Sequence, residues 1–422
     1  MIIGWLLCGF TMWADQPFRN HRYDVFKVLP VKRHHIVFMG NSITNMFEWW
    51  EAFGSDQRIL NRGVSGAVTA EALANAEFIA KGKPAKVFLM MGTNDLGTKG
   101  MDTPEQVVEN VRQLVDCFQR LSPKTQLYIQ SILPSKSGIR TLEKEMATNR
   151  ALQALCKEKS ITYIDLWDDL ISISENTTHT MDGLHLKASG YAIWCQKIQS
   201  YLGIASQLSS DVAARQQSGG SGGSYGMRNT YFSVLPVCPG DVLLIGDEMI
   251  HGGEWHELLQ SKKIKNRGTG WGYPGPSLER TLQSLPCIFH SSDGNCDPAA
   301  VCLYAGVSDV NGSADLAIVV EKYIQIVTRI REYAPHTPIY VMGLQPTANA
   351  AVNSNRVQPF NAALQKIAGT TYIDLYTGFE ENGIASPAYF EGNYLYGKGY
   401  LKVAGRLAKA LNIKGVKAVK GR

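Results

Sequence analysis

Four short stretches of this sequence carry the small polar side chains that acyl transfer uses: Gly40-Asn41-Ser42, Asn61-Arg62-Gly63, Gly92-Thr93-Asn94-Asp95 and Asp182-Gly183-Leu184-His185. A serine hydroxyl is a weak nucleophile until a neighbouring base takes its proton. His185 is the candidate base, and Asp182, three residues earlier in the chain, is the candidate that holds its ring in the useful tautomer. The tetrahedral intermediate of acyl transfer carries a negative oxygen that needs fixed donors. The backbone N–H groups of Ser42 and Gly63 and the side-chain amide of Asn94 are candidates for three of them. Each residue alone has a plainer reading: Ser42 as a helix N-cap, Asn94 as a turn residue, His185 as a structural histidine. Their joint occurrence favours catalysis. Asp95 reads as a turn residue that fastens its loop. Trp49, Trp50 and Trp167 read as packing before they read as cleft walls. Arg62 reads as a structural ion pair before it reads as a contact for an anionic substrate.

The elements around these stretches explain how they would meet. The runs HIVFMG, KVFLMMG, QLYIQSI and ITYIDL read as buried strands. TPEQVVENVRQLVDCFQRL has apolar residues at helical spacing, with Thr103 as N-cap and Pro104 at the first helical position. KASGYAIWCQKIQSYLG reads as a closing helix. Strand–helix alternation predicts a parallel sheet covered on both faces. Ligands bind such sheets beyond the carboxyl ends of the strands, and the polar stretches follow the strands there.

The pattern is written twice. NRGVSG (61–66) is answered by NRGTGW (266–271), FLMMGTND (88–95) by LYAGVSD (303–309), SILPS by GLQPT, and TYIDLW (162–167) by TYIDLY (371–376). The order is kept, so a whole domain is duplicated. Between the copies, QQSGGSGGSYG has the composition of a flexible linker. The expected division is 1–14 as a signal-like segment, 15–209 as the first domain, 210–226 as linker and 227–422 as the second. In the second copy Glu248 replaces Ser42, Ser308 replaces Asn94, Glu391 replaces Asp182 and Tyr394 replaces His185, while Gly268 answers Gly63. Without the nucleophile and the base this cleft should not hydrolyse esters. It reads as a structural partner or, through Trp271, Tyr273, Tyr394 and Tyr396, as an aromatic sugar platform.

The ordered blocks GNSIT, NRGVSG, GTND and DGLHL make residues 35–202 resemble the SGNH (GDSL-type) hydrolases. The resemblance implies two tandem three-layer α/β/α domains of flavodoxin-like type with parallel sheets. It also implies ester hydrolysis without a metal or cofactor. Ser42 is then the nucleophile, Asp182 and His185 complete the triad, and Gly63 and Asn94 join Ser42 in the oxyanion hole. Asn41 departs from the aspartate of the family name, at a position outside the chemical set. The GNSIT form is similar to acetylesterases acting on carbohydrates and to the platelet-activating-factor acetylhydrolase type. The expected function is removal of short acyl groups, acetyl above all, from a carbohydrate or similar polar ester. The alternatives are a lysophospholipase or general carboxylesterase, and a carbohydrate-binding protein without turnover.

Composition sets the outer bounds. At 422 residues, 45% apolar and 19% charged, the chain is globular and suits two domains. Net charge is +5, and the tail KGVKAVKGR holds four of the positives, so nothing argues for nucleic acid. The start MIIGWLLCGFTMWADQ is too short to span a bilayer. It resembles a secretory signal lacking a basic n-region, which predicts a periplasmic or secreted protein. The cysteines form no C-x-x-C pair, and no metal pattern is completed. Cys117, Cys156 and Cys195 read as core residues, and Cys287 with Cys296 as a candidate bridge. Two motif matches fail on context: GGSGG (219–223) lies in the linker, and GWGYPG (270–275) carries Pro274 and is followed by Pro276.

Overall fold

The computed structural model describes residues 16–97, 103–136, 139–176, 178–209, 211–218, 223–270, 277–289, 297–414 and 416. The signal-like start, Trp271, Tyr273, Pro274, Pro276, Cys296 and most of the basic tail lie outside the described residues. The four runs read as strands in the first copy, joined by the segment ending in Asn-Arg-Gly, become β1 (Ile36–Gly40), β2 (Ile59–Gly63), β3 (Lys86–Met90), β4 (Gln126–Gln130) and β5 (Thr162–Ile164). Those of the second become β6 (Val242–Gly246), β7 (Ile264–Gly268), β8 (Ala300–Tyr304), β9 (Ile339–Met342) and β10 (Thr370–Ile373). The first sheet runs β2-β1-β3-β4-β5, and the second runs in the equivalent order β7-β6-β8-β9-β10. Every pairing in both is parallel. Burial on both faces is why the inner strands β1, β3, β6 and β8 are nearly continuous apolar runs rather than alternating ones. Register sets Gly40 opposite Gly63, and Gly246 opposite Gly268, so the first two polar stretches of each copy share a rim.

Helices cover both faces, and their ends follow the sequence. Helix Pro104–Leu121 is capped by the Thr103 hydroxyl, which accepts from Gln106 N. Helix Leu142–Lys159 is capped by Thr141 in the same way. The closing helix Ala188–Leu202 stops at Gly203, whose φ of 75° suits glycine. Trp49 and Trp167 are buried, and Trp49 stacks on Phe38 at 4.3 Å, so packing accounts for them. Cys156 and Cys195 are buried free thiols, and Cys117 is half-buried.

The copies do not sit as separate beads. Helix Gln16–Val28 begins the first copy, yet its Arg22 donates to Gly252 O (2.7 Å) and Glu254 (2.8 Å) of the second. Helix Gly223–Phe232 begins the second, and its Arg228 donates to Met46 O (2.9 Å) and Glu48 (2.9 Å) of the first. This helix starts inside the stretch expected as linker, and Gln216, Gln217 and Ser218 before it are held by Ser189, Ser233 and Asn229. The arginines of the repeated Asn-Arg-Gly also cross. Arg62 grips Glu257 at 2.7 Å through both nitrogens, and Arg267 grips Glu51 at 2.9 Å through both. Trp50 stacks on His256 at 4.4 Å between them. Because Glu48, Trp50 and Glu51 match Glu254, His256 and Glu257 in sequence order, the contact is a pseudo-twofold one. Arg62 is therefore a structural ion pair, as its sequence context predicts.

These pairs tie stability to pH. Burial opposes ionisation of Glu51 and Glu257, but Arg267 and Arg62 outweigh it and hold both carboxyls below the usual 4.5. A carboxyl held low when folded contributes fully above its unfolded value and loses that contribution as pH falls below it. The thermal midpoint should therefore drop from about pH 5 to about pH 3. A Glu51→Gln, Glu257→Gln chain should show a flatter slope over that range, and equal slopes would contradict the assignment.

Candidate active site

Where β1 ends, the chain turns into the short helix Ser42–Asn45, and Asn41 Oδ1 caps it by accepting from Ile43 N at 3.0 Å. Asparagine thus fills the capping role at the position before the serine. The loop carrying His185 reaches the same rim, and Ser42 Oγ lies 2.9 Å from His185 Nε2. His185 Nδ1 lies 2.7 Å from Asp182 Oδ2. A carboxylate only accepts, so Nδ1 carries the proton and Nε2 turns its lone pair to the serine hydroxyl. The other Asp182 oxygen accepts from His185 N (2.7 Å) and Leu184 N (3.0 Å). The loop reaches this shape through Gly183 at φ 78°. Burial opposes the charge on Asp182, but the bonds to His185 and the loop amides hold its carboxyl down at about 2. Ser42 and His185 are each 7% exposed.

The other predicted residues stand at the same rim with a difference. Asn94 Nδ2 donates to Ala67 O at 2.9 Å, which orients the amide and leaves its second N–H. Asp95 fastens that loop as expected, accepting from Thr69 N at 2.8 Å and from the Thr69 hydroxyl. Gly63 must be glycine, because a Cβ there would meet Asn45 N at 2.3 Å. Its N–H, however, is donated to Asn61 Oδ1 at 2.9 Å. The second copy makes the identical bond from Gly268 N to Asn266 Oδ1, in a cleft where Glu248 stands in place of the nucleophile. The bond therefore belongs to the scaffold.

Sequence reasoning passed over three residues that hold the serine in place. Asn61 Nδ2 donates to Asn45 O at the end of the serine helix and to Phe47 O just past it. Arg228, from the second copy, donates to Met46 O at the end of that helix. Tyr191 from the closing helix donates to Ile43 O. Asn61 was detectable: a residue repeated in a copy that lost its chemistry is kept for the scaffold. Arg228 was not, since only the folded arrangement brings it to the first copy.

The second cleft keeps the frame and changes the contents. Glu248 opens its short helix Glu248–Gly252, Ser308 stands where Asn94 does, and Glu391 pairs with Tyr394 in a short hairpin. Tyr394 stacks on His21 of the leading helix, centroids 5.7 Å apart. Among the described residues, no group of three His, Cys, Asp or Glu side chains is arranged to hold a metal, and no helix is long and apolar enough to cross a membrane.

Comparison with known proteins gives the same period. The profile of the GDSL-like lipase/acylhydrolase family matches residues 38–193 and again 245–400. The platelet-activating factor acetylhydrolase IB subunit alpha1 of Rattus norvegicus is 26% identical over 180 residues, 40% of this chain and 76% of the relative. A GDSL-like lipase structure from Bacteroides thetaiotaomicron is 24% identical, covering 44% of this chain and 98% of that one at a TM-score of 0.38. A carbohydrate esterase family 3 structure from Talaromyces cellulolyticus is 18% identical, covering 40% and 96% at a TM-score of 0.34.

Proposed function

The chain belongs to the GDSL-like lipase/acylhydrolase family, and on that premise we propose that it is a serine esterase whose first copy removes short acyl groups, acetyl above all, from a carbohydrate or similar polar ester. The observation that carries this reading is the continuous relay Ser42–His185–Asp182 at 2.9 and 2.7 Å. Ser42 Oγ attacks the ester carbonyl as His185 Nε2 takes its proton. Asp182 keeps the ring in the required tautomer and stabilises the imidazolium. The oxyanion is met by Ser42 N–H and by the free N–H of Asn94, and Gly63 N–H contributes while shared with Asn61. His185 then protonates the departing alcohol. Next it activates the water that releases the acyl group and restores Ser42.

The same reading leaves residues 227–422 without turnover, because Glu248 places charge where an oxyanion must form and Tyr394 cannot act as the base. It also places the protein outside the cytoplasm, on the strength of its apolar start. The acetyl preference is supported by the name of the rat relative, an acetylhydrolase, and the sugar alcohol by the form of the Gly40–Thr44 block.

The test is hydrolysis of p-nitrophenyl acetate, butyrate and octanoate. Turnover should fall with chain length. A preference for octanoate would favour the lysophospholipase or carboxylesterase alternative. Asn94→Ala should lower kcat by about 10²–10³-fold with little change in KM, the signature of a donor used in the transition state. A change confined to KM would remove Asn94 from the oxyanion hole.

A further inference from the structure

The second cleft is open, with a cavity of about 370 Å³, within the usual range for small-molecule sites. Its wall comes from both copies: His21 from the leading helix, and Asp247, Glu248, Gln345 and Tyr394 from the second. Asp247 is fully buried; its Oδ2 accepts from Gly306 N and Val307 N, but its Oδ1 has no partner among the described residues. Gln345 is 8% exposed, and its Nε2 likewise has none. Buried polar atoms are nearly always paired, and leaving one unpaired costs about 1–3 kcal/mol. Two such atoms on one cavity mark the place for a ligand that supplies both bonds.

The chemistry of the wall narrows that ligand. His21 donates Nδ1–H to Leu395 O, and burial keeps the ring neutral. Acidic side chains with no cation among these wall residues disfavour an anion. Burial pushes the Asp247 carboxyl up to about 7, so Oδ1 takes a donor when ionised and offers a proton when neutral, while Gln345 Nε2 needs an acceptor. An ammonium group donates only, whereas a hydroxyl does both. The Tyr394 ring, braced on His21 at 5.7 Å, offers a flat apolar face beside these polar atoms. A ring with hydroxyls at its edge and C–H groups on its face matches all three features.

We propose that the second cleft is a carbohydrate-binding site, built jointly by the two copies, that holds a pyranose ring against Tyr394 with its hydroxyls bonded to Asp247 and Gln345. The site stands whether or not the first copy is an esterase.

The experiment uses the full chain with Ser42 first blocked by paraoxon. Saturation-transfer NMR is recorded with the methyl β-glycosides of glucose, galactose, mannose, xylose and N-acetylglucosamine. At least one should receive saturation. Gln345→Leu and Tyr394→Ala should each weaken its binding by at least about tenfold, the value of one good hydrogen bond or face contact. Thermal midpoints check that both variants fold, and Tyr394→Ala, at a half-buried position, decides if Gln345→Leu does not. No transfer from any glycoside, transfer lost on blocking Ser42, or transfer unchanged in the folded variants would overturn the proposal. Failure of paraoxon to label Ser42 would count against the esterase reading alone, since the two variants still report on the second cleft.

Discussion

Replacing Ser42 by alanine is expected to lower kcat for p-nitrophenyl acetate by about 10⁴–10⁶-fold while leaving the fold intact. The size follows from the geometry. The hydroxyl lies 2.9 Å from a base whose tautomer is fixed by a 2.7 Å bond to a carboxylate, so the nucleophile and its activation disappear together. The residual rate also measures the second copy. Its Glu248 and Tyr394 occupy the places of serine and histidine, so the alanine chain should retain no more than the weak rate that binding and oxyanion donors give. A loss of less than about 10²-fold would mean that another nucleophile carries the turnover.

The second large effect concerns the contact between the copies. Arg267→Ala leaves the Glu51 carboxylate buried without its bidentate partner, and it should destabilise the chain by about 3–5 kcal/mol in urea unfolding. Removing both charges at once, as Arg267→Met with Glu51→Leu, should recover most of that loss, because two apolar side chains cost no desolvation. Arg62 and Glu257 should behave alike, by the pseudo-twofold relation. Activity should suffer with stability, because Glu51 and Glu48 flank the segment just past the serine helix, and Arg228 holds that helix at Met46 O. A single Arg267→Ala that unfolds like the parent would show that the two copies are merely tethered.

The parts of this arrangement that were legible in the sequence are those written locally. The strand runs ending at Gly40 and Met90, the Thr103 cap and the Asp182–His185 spacing all depend on neighbours in the chain, and the fold keeps them. Asp95 and Arg62 were legible as structural residues by type, but their partners Thr69 and Glu257, distant in the chain, were not. The engagement of Gly63 N–H by Asn61 was not, because an Asx turn at a strand end has no signal beyond the asparagine itself. The exchange of leading helices was not either. Arg22 and Arg228 sit in ordinary amphipathic stretches, and nothing in them says that their acceptors lie more than 180 residues away. The second cleft could be read as having lost its serine and histidine. That His21 would enter it from the other copy required the fold.

The most direct test of the central claim is to treat the full chain with a fluorophosphonate, weigh it intact and map the modified peptide. A single adduct on Ser42, absent from the His185→Ala chain, is the predicted result. No adduct, an adduct on another serine, or labelling that survives loss of His185 would contradict the assignment of Ser42 as the activated nucleophile.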